Sequence, residues 1–253
     1  MKKVVIVIMT MLLVLVVGQV VMAKVDATVG LTLGYNAREY NYERKNDPSE
    51  FGAHTFSGFA IGMFGNIYVM DKLSFEIDAS VAIGSWEDYR SWSATKKSNL
   101  SLLNIQAFVR YDVLFEDRYK LGVQVGTIYD YMNTEKTFGT DKIDAFFIAP
   151  GIYGEFDVLP KLKIFADVRL PVYASFNFTH NGEGSYFLKL FLYDAKIGVM
   201  YEVAPQVNIG IEGNLYNVNS WRLYWLFAVA GNNSFIYTSK SAFNIGLKAE
   251  YKF

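Results

Sequence analysis

The segment Leu103–Val113 has the sequence LNIQAFVRYDV, with an apolar or aromatic residue at every odd position and mostly polar residues at the even positions. A period of two is typical of a β-strand that has one apolar and one polar face. The same alternation recurs in nine further segments, so the sequence predicts ten strands. These other segments are 27–35, 59–69, 73–83, 121–131, 146–152, 162–172, 191–201, 207–211 and 243–253.

The connections between these segments alternate in length. Short connections at one end of the strands and long ones at the other are typical of outer-membrane barrels. The sequence therefore predicts an all-β fold, a closed antiparallel transmembrane β-barrel with short periplasmic turns and long outer loops. Ten strands fit best, and eight are the alternative if two weak strands merge. The short connections are 70–72, 115–118, 159–161 and 204–206, and the long ones are 41–55, 87–98, 133–143, 177–186 and 217–240.

Residues 1–23 have the features of a cleaved secretory signal peptide. A Lys-Lys pair precedes the apolar run Val4–Val17, and Val21–Ala23 resembles a signal-peptidase site. The alternative, a transmembrane anchor, is disfavoured because the run is shorter than the roughly 20 residues that a spanning helix needs. We therefore expect export through the Sec pathway with signal-peptide cleavage, and a barrel domain over 24–253.

The composition excludes several classes of protein. Of the 253 residues, 52% are hydrophobic and 17% aromatic, and the formal net charge is −1. A disordered chain is excluded, and the lack of a basic excess argues against nucleic-acid binding. Because the chain has no cysteine, zinc–thiolate sites, disulfides and cysteine catalysis are excluded as well. With only two histidines besides, we expect neither a metal nor another cofactor.

The polar face of the predicted strands is rich in glycine and carries charges of both signs. Small residues suit the concave interior of a barrel, whereas bulky apolar residues suit an exterior in lipid. We therefore expect the polar face to line the lumen, although a soluble lipocalin-like barrel would place its apolar face inward. The predicted lumen charges are Arg38, Glu76, Asp78, Arg110, Asp112, Asp167, Arg169, Asp194, Lys196, Glu212 and Lys248.

These charges allow two interpretations of the lumen. In a narrow interior opposite charges must pair, because an unpaired buried charge is costly. The paired side chains would then plug the barrel. In the alternative, the lumen is a narrow, passive, porin-like pore for water, ions or small solutes. The residues that would set its selectivity are Arg38, Glu76, Asp78, Arg110 and Arg169.

Aromatic residues cluster near both ends of the predicted strands, as in the two girdles of membrane barrels. The apolar belt between the clusters shows no obvious break, so we expect a monomer that contacts outer-membrane lipid. The outer cluster comprises Tyr35, Tyr40, Tyr42, Phe56, Tyr129 and Tyr131, and the inner cluster comprises Tyr111, Phe115, Tyr119, Phe156, Tyr201, Tyr251 and Phe253.

The last predicted strand, Ala242–Phe253, resembles the C-terminal signature of bacterial outer-membrane proteins, which ends in Phe after apolar residues at alternate positions. This resemblance implies that Tyr251 and Phe253 are recognised by the barrel-assembly machinery. It also implies a location in the outer membrane of a diderm bacterium. Ten strands with five outer loops resemble the omptin proteases and the ten-stranded adhesins. Eight strands would resemble the small OmpA- and OmpW-type barrels.

The chain departs from the omptin pattern at the residues that matter for catalysis. The resemblance to omptins would imply an Asp–His pair at the extracellular rim that activates water. Here Phe178 stands two positions before His180, where that pattern would have aspartate. The same-face acids Glu76 and Asp78 lie near a short turn, at the opposite end of the barrel. We therefore expect no enzymatic activity.

The final long connection contains a Trp-rich apolar stretch beside an arginine. Such a composition is typical of a binding hot spot, although the same residues would also suit a hairpin that extends two strands above the membrane. The function we expect is a structural or surface-interaction role, adhesin-like, toward an unknown ligand. A pore comes second and an omptin-like protease third. The outer-loop binding candidates are Trp221, Arg222, Tyr224, Trp225 and Phe227.

Overall fold

The computed structural model describes residues 26–44, 47–90, 93–134, 140–180, 183–188, 191–219 and 235–253. No helix in these ranges is long and apolar enough to cross a membrane. The predicted signal peptide 1–23 lies outside the described residues, and so do the outer-loop candidates Trp221, Arg222, Tyr224, Trp225 and Phe227.

Every regular element in the described ranges is a β-strand, as the alternating pattern predicted. The strand segments are β1 (Ala27–Arg44), β2 (Asp47–Met70), β3 (Leu73–Arg90), β4 (Ser93–Glu116), β5 (Tyr119–Thr134), β6 (Thr140–Leu159), β7 (Leu162–Arg169), β8 (Tyr173–His180), β9 (Glu183–Leu188), β10 (Phe191–Ala204), β11 (Val207–Asn219) and β12 (Phe235–Lys252).

The strands form one closed antiparallel barrel. Their order is β5-β4-β3-β2-β1-β12-β11-β10-β7-β6, and pairing of β5 with β6 completes the circle. The first and last strands are neighbours, with Thr28 opposite Lys252. Both ends of the described chain therefore lie at the end of the barrel that carries the short turns.

Two of the barrel strands consist of two segments each. β7 pairs with one half of β6 and β8 with the other half, so β7 and β8 are successive parts of one strand that is interrupted at 170–172. In the same way, β9 pairs with β8 and β10 pairs with β7. The twelve segments therefore make ten barrel strands. The prediction of ten strands is confirmed, and the alternative of eight is wrong.

Two-residue turns join the strands at the end near the termini, as predicted. They lie at 71–72, 117–118, 160–161 and 205–206. In the last of these turns Gln206 has a φ of 70° and follows Pro205. Proline at the second position and a positive φ at the third fit a type II turn.

At the opposite end, the strands continue into segments that the sequence predicted as long loops. β1 runs to Arg44 and β2 begins at Asp47, so most of the predicted loop 41–55 is strand, and β3 and β4 extend similarly. Beyond the membrane neither face of a strand needs to be apolar, so the alternation fades there. The backbone hydrogen bonds still continue because each N–H and C=O needs a partner.

The apolar face of the strands points outward. Leu33 and Ile77 are 57% and 58% exposed, whereas Arg169 is 1% exposed inside the barrel. A soluble barrel would bury the apolar set and expose the charges. The observed arrangement fits an exterior in lipid, so the lipocalin-like alternative is wrong.

One predicted girdle residue points the other way. Phe56 is 1% exposed and lies inside the barrel, although the sequence analysis placed it in the outer aromatic cluster. The prediction was wrong because it used residue type instead of register. In β2 the odd-numbered residues, such as Phe59 and Ile61, point outward, so an even-numbered residue points inward.

Candidate functional site in the barrel lumen

Arg169 is the central cation of the lumen. Its guanidinium lies 2.6 Å from Asp167 on its own strand and 3.4 Å from Glu76 on β3. The carboxylate of Asp194 on β10 lies 3.6 Å away, and the side-chain oxygen of Gln106 on β4 accepts a further hydrogen bond. Side chains from four strands therefore meet at one level of the barrel.

Arg110 enters the same cluster from β4. It forms an ion pair with Glu76, and its Nη2 lies 2.8 Å from Asp167 Oδ2. Its Nε donates to Gln124 Oε1 at 3.1 Å, and its guanidinium lies 4.7 Å from the ring centroid of Tyr153. Two arginines and their acids therefore share one network. We call this cluster the charged septum, made of Glu76, Gln106, Arg110, Asp167, Arg169 and Asp194.

Two further ion pairs lie on the side of β10, β11 and β12. Lys196 Nζ is 3.3 Å from Asp78 Oδ2, and Lys248 Nζ is 3.3 Å from Glu212 Oε2. Because Asp78 is on β3 and Lys196 on β10, the first pair crosses the lumen. The ammonium of Lys248 also lies 3.8 Å from the ring centroid of Phe64, where a cation–π interaction stabilises it.

Asp112 anchors a hydrogen-bonded cluster nearer the short turns. It is fully buried and accepts hydrogen bonds from the hydroxyls of Tyr153 and Tyr68, the second at 3.4 Å. Lys120 Nζ donates to the Tyr68 hydroxyl at 3.1 Å. A buried carboxylate needs charged or hydrogen-bonding partners. The two tyrosine hydroxyls provide hydrogen-bonding partners for the Asp112 carboxylate.

Arg38 lies toward the outer end of the lumen. Its guanidinium is 3.5 Å from Asp130, which also accepts a hydrogen bond from Asn104 at 2.7 Å. Gln106 donates to Asn104 Oδ1 at 2.9 Å. Because Gln106 also contacts Arg169, the outer cluster and the charged septum form one hydrogen-bonded network.

In the part of the chain that the structure describes, two cavities lie along the lumen. The inner cavity, of about 270 Å³, faces the short turns, with Tyr68 and Lys120 in its wall. The outer cavity, of about 70 Å³, has Asn214 and Asn244 in its wall. Glu76, Arg110 and Asp167 of the charged septum line the inner cavity, Gln106 lines the outer one, and Lys196 lines both, so the septum lies at the level where the two cavities approach each other. In the described part of the chain, Asn214 Oδ1 and Asn244 Oδ1 are buried without a hydrogen-bond partner, which fits a hydrated outer cavity.

All the lumen charges predicted from the sequence lie on the inner face. Five of them meet in the charged septum: Glu76, Arg110, Asp167, Arg169 and Asp194. The others are held by contacts with residues outside the charged septum: Asp78 with Lys196, Glu212 with Lys248, Arg38 with Asp130, and Asp112 with two tyrosines.

The sequence analysis missed the uncharged partners that complete this network. They occupy the same strand register as the charges, and that register was the signal that would have found them. They are Tyr68, Asn104, Gln106, Gln124 and Tyr153.

The residues predicted as an assembly signal lie where the first and last strands meet. The rings of Tyr251 and Phe253 are in edge-to-face contact at 5.0 Å. The Tyr251 hydroxyl donates to Gln206 Oε1 at 3.0 Å, and the Phe253 N–H donates to the carbonyl of Ala27 at 2.9 Å. The end of the chain is therefore built into the closing seam.

Within the described ranges, no three His, Asp or Glu side chains are placed to hold a metal ion. The backbones of His54 and His180 lie in β2 and β8, but their side chains fall outside the described part of the structure.

Comparison with known proteins supports the fold alone. No protein-family model and no curated protein matches the chain. The structure is similar to the outer membrane protease OmpT from Escherichia coli, with 13% identity over 90% of this chain and 97% of that chain, and a TM-score of 0.60. Weaker likenesses include the transport unit of the autotransporter AIDA-I from Escherichia coli (10% identity, 90% of both chains, TM-score 0.49) and OprG from Pseudomonas aeruginosa (10% identity, 90% of this chain and 96% of that chain, TM-score 0.42).

The closed ten-strand antiparallel barrel, its exposed apolar belt and its charged interior define the class. The chain has the fold of the bacterial outer-membrane β-barrel proteins, and that fold implies an outer-membrane location.

Proposed function

We propose that this protein is an integral outer-membrane β-barrel with a closed resting lumen and a structural or surface-interaction role of the adhesin-like kind. The observation that carries the proposal is the burial of Arg169. This arginine is 1% exposed and contacts Asp167 on its own strand, Asp194 on the neighbouring β10 and Glu76 across the lumen on β3. A side chain so enclosed by opposite charges fills its part of the lumen, which supports a closed resting state.

Electrostatics favours the closed state. A permeating ion would have to separate Arg169 or Arg110 from acids that they contact at 2.6 and 2.8 Å. Removing one partner of a buried ion pair costs about 3–5 kcal/mol, because the other charge stays desolvated. The charged septum is therefore a barrier to passive flow and a brace between opposite walls.

The test is single-channel recording of the refolded mature protein in a planar bilayer. Folding is checked beforehand by the change in gel mobility on heating. We expect no steady conductance from the wild type. Replacing Arg110 and Arg169 together by alanine should produce a steady conductance. The matched control Arg118→Ala, in an exposed turn, should show no conductance. A steady wild-type conductance would overturn the proposal.

The second candidate function is a narrow passive pore for water, ions or small solutes. Two cavities at the charged septum favour it, because they approach each other closely enough for Lys196 to line both. If the wild type conducts, neutralising Asp78 or Glu76 should change the ratio of cation to anion permeability.

The surface role rests on the outer end of the barrel. Strands β1 to β4 extend beyond the apolar belt as hairpins, and such protrusions are suited to contact with a ligand. We assign the Trp-rich segment of the final loop as the contact site. Replacing Trp221, Trp225 and Phe227 by serine should abolish binding of the purified protein to host-cell surfaces, but not its folding.

We further propose export through the Sec pathway with cleavage after Ala23, assembly through recognition of Tyr251 and Phe253, and a monomer in the membrane of a diderm bacterium. The position of Phe253 in the closing seam supports the assembly step. Deleting Phe253 should lower the amount of folded protein in the outer membrane. N-terminal sequencing of the membrane form should begin at Lys24.

Finally, we propose that the protein is not an enzyme. An omptin-like protease remains the competing candidate because the fold is shared with OmpT. Incubation of the refolded protein with a peptide mixture should yield no cleavage. Cleavage that is lost in His54→Ala or His180→Ala would overturn this part of the proposal.

A further inference from the structure

The barrel strand that carries Arg169 is interrupted just after that residue. The segment 170–172 is not paired as a strand, yet it stays attached to β6. The N–H of Leu170 donates to the carbonyl of Pro150 at 2.8 Å, and the N–H of Val172 donates to the carbonyl of Ile148 at 2.9 Å. The interruption is therefore a local weakening of the wall and not a separation of the strands.

Two prolines explain this weakening. In a hydrogen-bonded antiparallel pair, each residue normally donates to the other. The carbonyl of Pro150 accepts a hydrogen bond from the Leu170 N–H, but Pro150 has no N–H that could donate to the Leu170 carbonyl. Pro171 likewise has no N–H that could donate to β10. In the described ranges, the ladder between β7 and β10 accordingly ends where Arg169 faces Asp194, and pairing resumes only between β8 and β9.

The surroundings make these missing donors unusual. Leu170 and Val172 are 48% and 65% exposed on the lipid face. Water is absent from the bilayer core, so carbonyls without a ladder donor are costly there. Proline is normally confined to strand edges and bulges. Two neighbouring prolines within the wall therefore mark a place where the backbone opens more easily than elsewhere.

We propose that 170–172 is a hinge in the barrel wall whose movement withdraws Arg169 from the charged septum and joins the inner and outer cavities. Pro171 is buried and is the next inward-facing residue after Arg169, so the two side chains move together. The contacts with Glu76 and Gln106 break on such a movement because these residues are on β3 and β4. Asp167 is on the same segment and stays with the arginine, so its contact with Arg110 on β4 breaks as well.

The open state passes water and small hydrophilic solutes between the two cavities. This inference goes beyond the proposed closed resting state, because it concerns brief departures from that state. The hinge and the resting state are measured separately, so either can fail while the other stands.

Hydrogen–deuterium exchange of the refolded protein in lipid tests the hinge. The amides of Leu170 and Val172 should exchange at least about tenfold faster than those of Leu215 and Phe243, because fewer hydrogen bonds hold them. The double variant Pro150→Val, Pro171→Val restores both donors and should remove this difference. Pro160→Ala, in a short turn, is the matched control and should leave it unchanged. If the double variant fails to fold, Pro171→Val alone should remove part of this difference in exchange rate.

Two exchange results would overturn the hinge. One is equal protection of all four amides in the wild type. The other is a difference that persists in a folded double variant.

Electrical recording tests the connection to the charged septum. Long recordings of the wild type should show brief openings from a silent baseline, and their frequency should fall at least about tenfold in the folded proline variant. Unchanged frequency, or a wild type without openings although the exchange result is positive, would overturn the coupling between hinge and septum. A steady baseline conductance would instead overturn the proposed closed resting state.

Discussion

The carboxylate of Asp167 on β7 lies 2.8 Å from the guanidinium of Arg110 on β4, although β5 and β6 separate the two strands around the wall. The same carboxylate oxygen lies 2.6 Å from Arg169. One acid therefore neutralises two cations from different parts of the barrel. Because each of these groups is almost fully desolvated, the negative charge of Asp167 contributes strongly to holding β4 and β7 together.

The first prediction concerns that acid. Asp167→Asn should lower the free energy of unfolding by about 3 kcal/mol or more, because two buried arginines lose an ionised partner. Urea unfolding in lipid vesicles measures this change. Asp117→Asn, in an exposed turn, is the control and should stay within about 0.5 kcal/mol of the wild type. Equal effects of the two substitutions would show that Asp167 does not brace the lumen.

The second prediction concerns the lipid face. Ile77 is 58% exposed on the outside of the barrel, so Ile77→Arg should lower the free energy of unfolding in lipid by about 2–4 kcal/mol. Thr28 lies in the wall of the inner cavity, which is the larger of the two cavities and is lined by polar groups. Thr28→Arg should therefore lower the free energy of unfolding by less than about 1 kcal/mol. The variant Ile77→Ala separates the effect of charge from that of lost side-chain volume.

The reverse ranking of these two arginine variants would contradict the assignment of the faces. Measuring both in detergent as well as in lipid adds a control. The cost of Ile77→Arg should shrink when water reaches the surface of the barrel more easily.

The sequence alone predicted the strand number, the short turns and which face points inward. It did so because alternation reports directly how side chains face two different environments. The interruption after Arg169 was not predictable in this way. Pro150 and Pro171 fall in segments whose side chains alternate regularly, and alternation does not register a missing backbone donor.

The pairing of the lumen charges was equally beyond the sequence. The signs of the charges follow from the residue types, and their inward direction follows from the strand register. Which charges form pairs, however, depends on which strands face each other across the closed barrel. Arg169 reaches Glu76, 93 positions earlier in the chain, only because β3 and β7 lie across the lumen from each other. Phe56 is a different case, because its register in β2 would have placed it inside although its residue type suits a girdle.

The third prediction concerns the turn beside the closing seam. Gln206 has a φ of 70°, which is unfavourable for a residue with a side chain. Its Oε1 also accepts a hydrogen bond from the exposed Tyr251 hydroxyl at 3.0 Å. Gln206→Gly should raise the free energy of unfolding by about 0.5–1 kcal/mol, because relief of the backbone exceeds the loss of one exposed hydrogen bond. Gln206→Val should lower it.

Tyr251→Phe is the matched control, because it removes the same hydrogen bond without changing the turn. It should lower the free energy of unfolding by no more than about 1 kcal/mol. If Gln206→Gly destabilises the barrel as much as Tyr251→Phe does, the side-chain contact and not the backbone conformation governs this turn.

The fourth prediction compares an inward with an outward glycine. A Cβ on Gly84 would collide with the carbonyl of Ser57 and the Cα of Gly58 on the neighbouring strand, whereas a Cβ on Gly65 would meet nothing closer than the Thr28 carbonyl at 3.7 Å. Gly84→Val should lower the free energy of unfolding by about 1–3 kcal/mol. Gly65→Val should leave it unchanged or raise it, because β-branched residues favour strands and this one would face lipid.

Urea unfolding in vesicles measures the effects of both glycine substitutions. If both substitutions destabilise the barrel equally, the close approach of β2 and β3 is not the reason for glycine at position 84. The backbone freedom of glycine would then be the reason at both positions.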